Sequence, residues 1–383
     1  DPAGATAKLD TLVANPTFAP VLDALRRFVA TEGRHLAVTI GNHDIELVLP
    51  WVRAHLLGLL SNGDAAAHAR VTLSFDGAGF LCRVGRARVL AVHGNDDDMW
   101  NVLDHEAVRR QAQGITHGQP VDAWIPNAGT QMVVDVMNEV KARYPFVDLL
   151  KPETGAVIPT LLALDPGLAR KLTNAPAILA RKAKDTMRRA SGLLSGEEEA
   201  KAAPPLAGLL PPARLDKDTI ADSLMKAAEA NLERGLEPLS LIEADADGDY
   251  LGTMAYVANR IVGASSAEAL RLALQDLKKD RSFAFDEPDD TFRTLDEKVG
   301  GAVTFVVAGH THLERSLERT KARGWYFNSG TWARLMRFTD EILSSPQQFA
   351  AVFTAIKAGS MQALIQVDGL VLRRNTVVSI WAT

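Results

Sequence analysis

Side chains that can bind a metal ion follow directly after three hydrophobic runs of the sequence. The first run is followed by Gly-Asn-His-Asp at 41–44, the second by His-Gly-Asn at 93–95 and the third by Gly-His-Thr-His at 309–312. Imidazole nitrogen and carboxamide oxygen are ligands that suit divalent manganese, iron and zinc. The three stretches therefore indicate a metal site. For one such tetrapeptide alone, an Asn-rich turn is an equally good interpretation.

The elements that must position these side chains are short strands. The runs at 38–40, 89–92 and 303–307 are rich in β-branched residues and lie next to glycine, which predicts buried strands. In an open α/β sheet, ligands bind at the carboxyl ends of the strands. We therefore expect the three polar stretches to meet at one edge of a sheet.

The order of these motifs resembles the calcineurin-like metallophosphoesterase superfamily. That family's pattern runs DxH, GDxxD, GNH followed by Asp or Glu, a lone His followed by Gly, and GHxH. In this chain GNHD at 41–44, HG at 93–94 and GHTH at 309–312 match the last three blocks in order. The resemblance implies an α/β fold, an αββα sandwich of two mixed sheets flanked by helices, with a dinuclear metal site at the strand ends.

The resemblance also implies a role for each residue of these motifs. Two divalent ions are expected, with manganese preferred and iron or zinc as alternatives. The implied metal ligands are Asn42, His93 and His310 for one ion and His312 for the other. His43 would face the substrate phosphate and donate a proton to the leaving oxygen or stabilise its charge. Asp44 would orient and polarise His43.

The first two blocks of the family pattern, DxH and GDxxD, do not occur upstream of residue 41. In the family they supply three ligands to the first ion, including the bridging Asp. We expect the natural protein to carry them in an upstream segment that also contains the first strand. The alternative is a degenerate member that binds one metal ion or none.

The implied reaction is hydrolysis of a phosphoester, with hydroxide bound to the metal ions as the nucleophile. Asp rather than Glu at position 44 favours nucleases, cyclic-nucleotide phosphodiesterases and nucleotide pyrophosphatases over protein Ser/Thr phosphatases. We expect a phosphodiesterase acting on nucleic acid or a nucleotide. The alternatives are a small-molecule phosphatase or nucleotide pyrophosphatase, and a catalytically degenerate binding module with the same fold.

Three further polar residues recur every three positions after His93. Asn95, Asp98 and Asn101 lie close to this proposed ligand in sequence. Such residues often hydrogen-bond metal ligands and orient them. We expect them to shape the substrate pocket or to contact the ligands.

The long connection between the second and third motifs predicts an inserted unit, because a loop of that length does not occur in a compact domain. We assign 1–104 and 291–383 to the two parts of the metallophosphoesterase core and 105–290 to a helical cap. Apolar stripes and a capping box at Ser265 and Glu268 support helices there. A piece near 192–215 that is rich in Gly, Pro and Glu predicts a mobile linker. The cap offers a surface for a protein partner or a homo-oligomer.

The C-terminal stretch predicts two hairpins. The first returns to the sheet after the GHTH motif, through a polar turn at 328–330, and is followed by Trp332, which we assign to the core. The second is a terminal hairpin around Asp368 and Gly369.

Composition sets the broad class of the protein. The chain has 383 residues, of which 47% are hydrophobic and 23% charged, which is typical of a globular protein. The formal net charge of −5 argues against a protein whose main function is non-specific nucleic-acid binding. The single cysteine, Cys82, cannot form an intrachain disulfide and fits a reducing compartment such as the cytoplasm. No apolar run has the length of a membrane span.

Overall fold

The computed structural model describes residues 2–98, 100–120, 126–151, 153–165, 255–256, 259–260, 262–276 and 281–382. The linker predicted near 192–215 lies outside the described residues, as does most of the second half of the predicted cap.

The strands of the described chain are β1 Leu36–Thr39, β2 Val71–Ser74, β3 Phe80–Val84, β4 Ala87–Ala91, β5 Phe305–Ala308, β6 Glu314–Glu318, β7 Trp325–Ser329, β8 Arg334–Met336 and β9 Val371–Arg373. The strands predicted before the three polar stretches are confirmed as β1, β4 and β5. A hairpin does follow the GHTH motif, formed by the antiparallel strands β6 and β7. Its turn lies at 319–324 and not at the predicted 328–330, because β7 extends to Ser329.

The α-helices of the described chain are α1 Pro2–Ala14, α2 Ala19–Ala30, α3 Pro50–Ser61, α4 Ala65–His68, α5 His105–Thr116, α6 Ala128–Met132, α7 Asn138–Arg143, α8 Glu153–Leu164, α9 Ser266–Asp276, α10 Asp290–Lys298, α11 Asp340–Ser344, α12 Pro346–Lys357 and α13 Met361–Ile365. A π-helical turn, Val133–Met137, joins α6 to α7. The Ser265 hydroxyl accepts a hydrogen bond from the Glu268 amide at 3.2 Å, which is one half of the predicted capping box at the start of α9. The Glu268 carboxylate accepts from Arg271.

The largest sheet of the described chain has the order β3-β4-β5-β7-β6. Its central strands β4, β5 and β7 are parallel, and its outer strands β3 and β6 are antiparallel to their neighbours. The carboxyl ends of β4, β5 and β7 therefore lie at one edge. This mixed sheet with flanking helices confirms the predicted α/β class.

Strand β1 pairs with β2 in a separate parallel ladder. The Ser74 hydroxyl at the end of β2 donates to the Gly79 carbonyl just before β3, at 2.7 Å. A short connection joins β2 to β3, whose first residue pairs with the last residue of β4. The end of β1, which lies beside the end of β2, therefore comes close to the carboxyl end of β4. A third, two-stranded ladder pairs β8 with β9.

The described chain forms two hydrophobic cores. The smaller one packs Phe292 of α10 on the inward-facing side chains of the large sheet, among them Val306 and Tyr326. The larger one is helical and joins residues of α7, α8 and α9 to residues between 335 and 371. Leu161 and Leu270 are fully buried in it, as are Phe349 and Leu364. The domain boundaries given above stay a prediction.

Two further expectations for the C-terminal stretch are wrong. Residues 361–365 form α13, not a strand, because Ser360 caps the helix and Leu364 packs into the helical core. Trp332 is not a core residue: it is 62% exposed, and its indole N–H donates to the Thr376 carbonyl at 3.0 Å. Gly369 does form a turn with a φ of 70°, and β9 after it pairs with β8.

Within the part of the chain that the structure describes, none of the helices combines the length and the apolar character needed to cross a membrane.

Candidate metal centre at the strand ends

The second and third polar stretches meet because β4 and β5 are parallel neighbours. The ladder continues beyond the strands: the Val92 amide donates to the Val307 carbonyl at 3.0 Å, and the Gly309 amide donates to the His93 carbonyl at 3.0 Å. The imidazole rings of His93 and His310 consequently lie edge to face, with ring centroids 5.4 Å apart.

The first polar stretch joins them from the end of β1. Asn42 is only 3% exposed, and its Oδ1 lies 3.1 Å from Nε2 of His93. Gly41 packs directly against the His93 ring, so that a Cβ at this position would lie 2.8 Å from it. Glycine is therefore required here for the backbone to approach the imidazole. The structure thus brings together Asn42, His93 and His310, three of the four predicted ligands.

The GHTH loop holds its two histidines in an unusual backbone conformation. His310 has a φ of 68° and His312 a φ of 63°, in the left-handed region that non-glycine residues rarely adopt. Such residues cost about 1–3 kcal/mol each and persist only where their surroundings hold them. His312 is close enough to His93 to lower its pKa by charge repulsion.

Asn328 holds this loop in place, a role that the sequence analysis missed. Its side chain is 1% exposed, and its Nδ2 donates to the Gly309 carbonyl at 2.6 Å and to the Thr311 hydroxyl at 3.0 Å. Its Oδ1 accepts a hydrogen bond from the Gly330 amide at 2.9 Å. Asn328 lies in β7, not in the predicted turn. The sequence signal for this role is a carboxamide at an inward-facing position of a strand, where a buried polar side chain needs hydrogen-bond partners.

A chain of hydrogen bonds connects the predicted ligands to the segment after β4. Asn42 Nδ2 donates to Asn101 Oδ1 at 3.0 Å, and Asn101 Nδ2 donates to Asp98 Oδ2 at 2.6 Å. The same Asp98 oxygen lies 2.9 Å from Nε2 of His310. Two of the three residues predicted to contact the ligands therefore do so, since Asn101 bonds Asn42 and Asp98 bonds His310.

Asn95, the third of these residues, supports the backbone. It is 2% exposed, and its Nδ2 donates to the Asn101 carbonyl at 3.0 Å and to Asp96 Oδ1 at 3.3 Å. Asn127, the cap of α6, donates to the same carbonyl at 3.2 Å. Asn95 thus holds the turn that presents Asn101.

His43 and Asp44 lie beside the ligands. Nε2 of His43 is 3.2 Å from Asn42 Nδ2. Asp44 Oδ1 accepts a hydrogen bond from the Gly41 amide at 2.6 Å and so closes the turn after β1. Among the described residues, no hydrogen bond joins Asp44 to His43, and the orienting role of Asp44 stays a prediction.

Burial lowers the pKa of two imidazoles of the site, those of His93 and His43. It lowers the pKa of His93 to about 4, with a further contribution from repulsion by His310. Burial and the charge of His310 also lower the pKa of His43. Burial alone would raise the pKa of the Asp98 carboxyl, but hydrogen bonds from His310 and Asn101 outweigh it and lower the pKa. Near pH 7 both His93 and His43 are neutral, which is the form of imidazole that binds metal ions.

A second carboxylate–imidazole pair lies next to the site. Asp96 Oδ1 is 2.9 Å from Nε2 of His105, and this hydrogen bond raises the pKa of His105. A Cβ at Gly77 would lie 2.6 Å from the His105 ring, so the loop before β3 packs directly on this imidazole.

The residues at this edge fit one divalent ion by their chemistry. The converging donors are two imidazoles and a carboxamide oxygen, which suit manganese, iron or zinc. Over the described residues, no group of three or more His, Cys, Asp or Glu side chains is arranged to hold a metal ion. Both ions stay a prediction, as does the role of His312 as a ligand of the second.

Comparison with known proteins adds no relative. No family model matches the chain, and neither the curated proteins nor the solved structures include a significant match.

Proposed function

We propose that this chain is a metal-dependent phosphoester hydrolase of the metallophosphoesterase type, acting as a phosphodiesterase on nucleic acid or a nucleotide. The observation that supports it best is the convergence of Asn42, His93 and His310 from the ends of three strands. Asn42 Oδ1 lies 3.1 Å from His93 Nε2, and the His93 and His310 rings are 5.4 Å apart.

The three converging side chains would hold a divalent ion, preferably manganese. A bound pair of ions would acidify water to supply the nucleophile and would neutralise the charge of the phosphate. The protein's own contribution is to present uncharged donors. Burial lowers the pKa of His93 to about 4, so a proton does not compete for this imidazole near neutral pH.

His43 would act on the substrate. Its neighbour Asn42 is a proposed ligand, and its own ring borders the site through the contact with Asn42 Nδ2. In this position it would donate a hydrogen bond to the leaving oxygen of the phosphoester and stabilise the charge that develops there. Groups with this role typically contribute about 10²–10⁴-fold in rate.

Alanine substitutions at His43 and His93 should have different effects on metal content. We expect His43→Ala to lose about 10²–10⁴-fold in turnover of bis-p-nitrophenyl phosphate with added Mn²⁺ while keeping its metal content. His93→Ala should lose both turnover and metal, because its ring nitrogen would be a ligand. Elemental analysis beside the assay measures both quantities.

His55→Ala is the matched control, since His55 pairs with Asp10 on the surface at 2.6 Å, away from the site. Each variant is assayed beside the wild-type protein. Faster hydrolysis of p-nitrophenyl phosphate than of the diester would favour the phosphatase alternative. The absence of Mn²⁺-dependent hydrolysis by the wild-type protein would contradict the proposal. Equal metal loss in His43→Ala and His93→Ala would make His43 a ligand.

A further inference from the structure

Asp98 begins a chain of hydrogen bonds whose direction can be deduced. A carboxylate only accepts hydrogen bonds. Asp98 Oδ1 accepts from the Trp100 amide at 2.8 Å, and Oδ2 accepts from Asn101 Nδ2 at 2.6 Å. Because Asn101 must turn its NH₂ group towards Asp98, its Oδ1 faces Asn42.

The orientation of the Asn101 carboxamide determines the orientation of the Asn42 carboxamide. Its Nδ2 donates to Asn101 Oδ1 at 3.0 Å, so its Oδ1 is left facing His93, 3.1 Å from Nε2. The second hydrogen of the same Nδ2 faces Nε2 of His43 at 3.2 Å. In this arrangement His93 carries its proton on Nε2 and His43 carries its proton on Nδ1.

We propose that Asp98 is a positioning residue that sets, through Asn101, which atom of the Asn42 carboxamide faces the metal site. This inference rests on the proposed function and deepens it. An oxygen atom facing the site can bind a cation, whereas an NH₂ group in the same place would repel it.

Asp98 acts on the site from a second side. Its Oδ2 accepts a hydrogen bond from Nε2 of His310 at 2.9 Å. This bond leaves Nδ1 of His310 as the nitrogen with the free lone pair. A carboxylate that accepts from the far nitrogen of a metal-binding imidazole fixes its tautomer and orientation. One side chain therefore presents two of the three donors.

Asp98→Asn tests the proposal with almost no change of shape. If the new amide oxygen keeps the bond from the Trp100 amide, its NH₂ group faces Asn101 and reverses both carboxamides. If instead its oxygen faces Asn101, its NH₂ group opposes the Trp100 amide. Only a carboxylate accepts at both positions. Asp97→Asn is the matched control, because Asp97 pairs with Lys298 and takes no part in the chain.

A double variant should restore the orientation of the Asn42 carboxamide. In Asp98→Asn with Asn101→Asp, the carboxylate at 101 accepts from the amide at 98 and from Asn42 Nδ2, so Asn42 again turns its oxygen towards His93. The His310 side is not restored, because an NH₂ group still faces its Nε2. We therefore expect recovery to be partial.

Two measurements decide the outcome. Isothermal titration with MnCl₂ should show about 10–100-fold weaker binding in Asp98→Asn than in Asp97→Asn, and several-fold recovery in the double variant. Circular dichroism during heating checks that the variants fold. Equal Mn²⁺ affinity of Asp98→Asn and Asp97→Asn would overturn the proposal.

Nitrogen-15 spectra of the imidazoles, recorded without metal, give a readout that is independent of the proposed function. Wild type should show His93 protonated on Nε2 and His43 on Nδ1, and Asp98→Asn should exchange both. Unchanged tautomers in a folded Asp98→Asn variant would overturn the positioning role even if Mn²⁺ binds. A wild type that shows the expected tautomers but takes up no Mn²⁺ would contradict the proposed function and leave the hydrogen-bond direction supported.

Discussion

The structure contains two clusters of buried polar side chains that differ in how their hydrogen-bonding capacity is used. The first is the site around Asn42, His93 and His310 at the ends of β1, β4 and β5. The second surrounds Asp296 of α10, which is 3% exposed and pairs with Arg319 at 3.1 Å.

Every strong acceptor of the second cluster is engaged within the protein. Asp296 Oδ2 accepts from the Thr320 amide at 2.8 Å, from its hydroxyl at 2.6 Å and from the Lys321 amide at 3.1 Å. The Arg319 guanidinium also donates to the carbonyls of Val303 and Val299. Such a cluster joins α10 to the sheet and leaves nothing for a ligand.

In the first cluster Asp98 is the charged member, and the contacts among Asn42, Asn101 and His93 join uncharged groups. Asn42 Oδ1 and His93 Nε2 lie 3.1 Å apart and would both be neutral donors to a divalent ion once the imidazole proton has moved to Nδ1. Two of its residues have left-handed backbone conformations, and strain of this kind often occurs at functional sites. Both clusters are buried, so the candidate site differs from the structural cluster in its uncharged donor atoms and in its left-handed backbone conformations.

Removal of the Asp296 carboxylate should have the largest effect on stability. Asp296→Ala leaves the Arg319 guanidinium buried without its partner, which should lower the free energy of unfolding by about 3–5 kcal/mol. Chemical denaturation measures this change. Asp290→Ala is the control, because its ion pair with Arg293 is at the surface and contributes less than about 1 kcal/mol. Similar losses in both variants would remove the contrast between the clusters.

Acid should weaken the first cluster. The pKa of His93 is lowered to about 4, so between about pH 6.5 and 4 the unfolded chain binds more protons than the folded protein. The contribution of His93 to stability is therefore complete above pH 6.5 and is lost as pH falls to 4, by up to about 3 kcal/mol in metal-free protein.

His93→Gln should flatten this dependence when unfolding is followed at a series of pH values. The raised pKa of His105 acts in the opposite direction, since its contribution is complete below the unfolded pKa and is lost as pH rises through the folded one. A parallel His105→Gln series separates the two. An unchanged pH profile in His93→Gln would show that this imidazole is not buried uncharged.

Loss of the Asn328 carboxamide should have the smallest effect on stability and a selective effect on the site. Asn328→Ala leaves the buried carbonyl of Gly309 without its donor, at a cost of about 1–3 kcal/mol. Because the loop that presents His310 is then released, Mn²⁺ affinity should fall as well. Titration with MnCl₂ beside chemical denaturation measures both.

Asn328→Asp tests the donor function of this side chain separately from its acceptor function. An aspartate can still accept from the Gly330 amide but cannot donate to the Gly309 carbonyl, so it should weaken Mn²⁺ binding as the alanine does. Asn375→Ala, at an exposed position of the C-terminal tail, is the control. Wild-type affinity in Asn328→Asp would show that the loop does not depend on this side chain.

Much of the local structure was predictable from the sequence. The strands before the three polar stretches are β1, β4 and β5, because short runs of β-branched residues next to glycine suit a buried strand. Helix α9 begins next to Ser265, whose hydroxyl accepts from the Glu268 amide as predicted. These features depend on neighbouring residues only. The terminal hairpin failed as a prediction because packing of Leu364 in the helical core favours a helix at 361–365.

The residue types of the candidate site were also determined by the sequence alone: a carboxamide, imidazoles and a nearby carboxylate, each placed at the end of a strand. The tertiary structure decided which of them meet. Asp98 and His310 are 212 residues apart in sequence and come within 2.9 Å because β4 and β5 pair as parallel neighbours. The same pairing order places Asn328 of β7 under the GHTH loop. Strand order depends on contacts between distant segments, and no local pattern of residues specifies it.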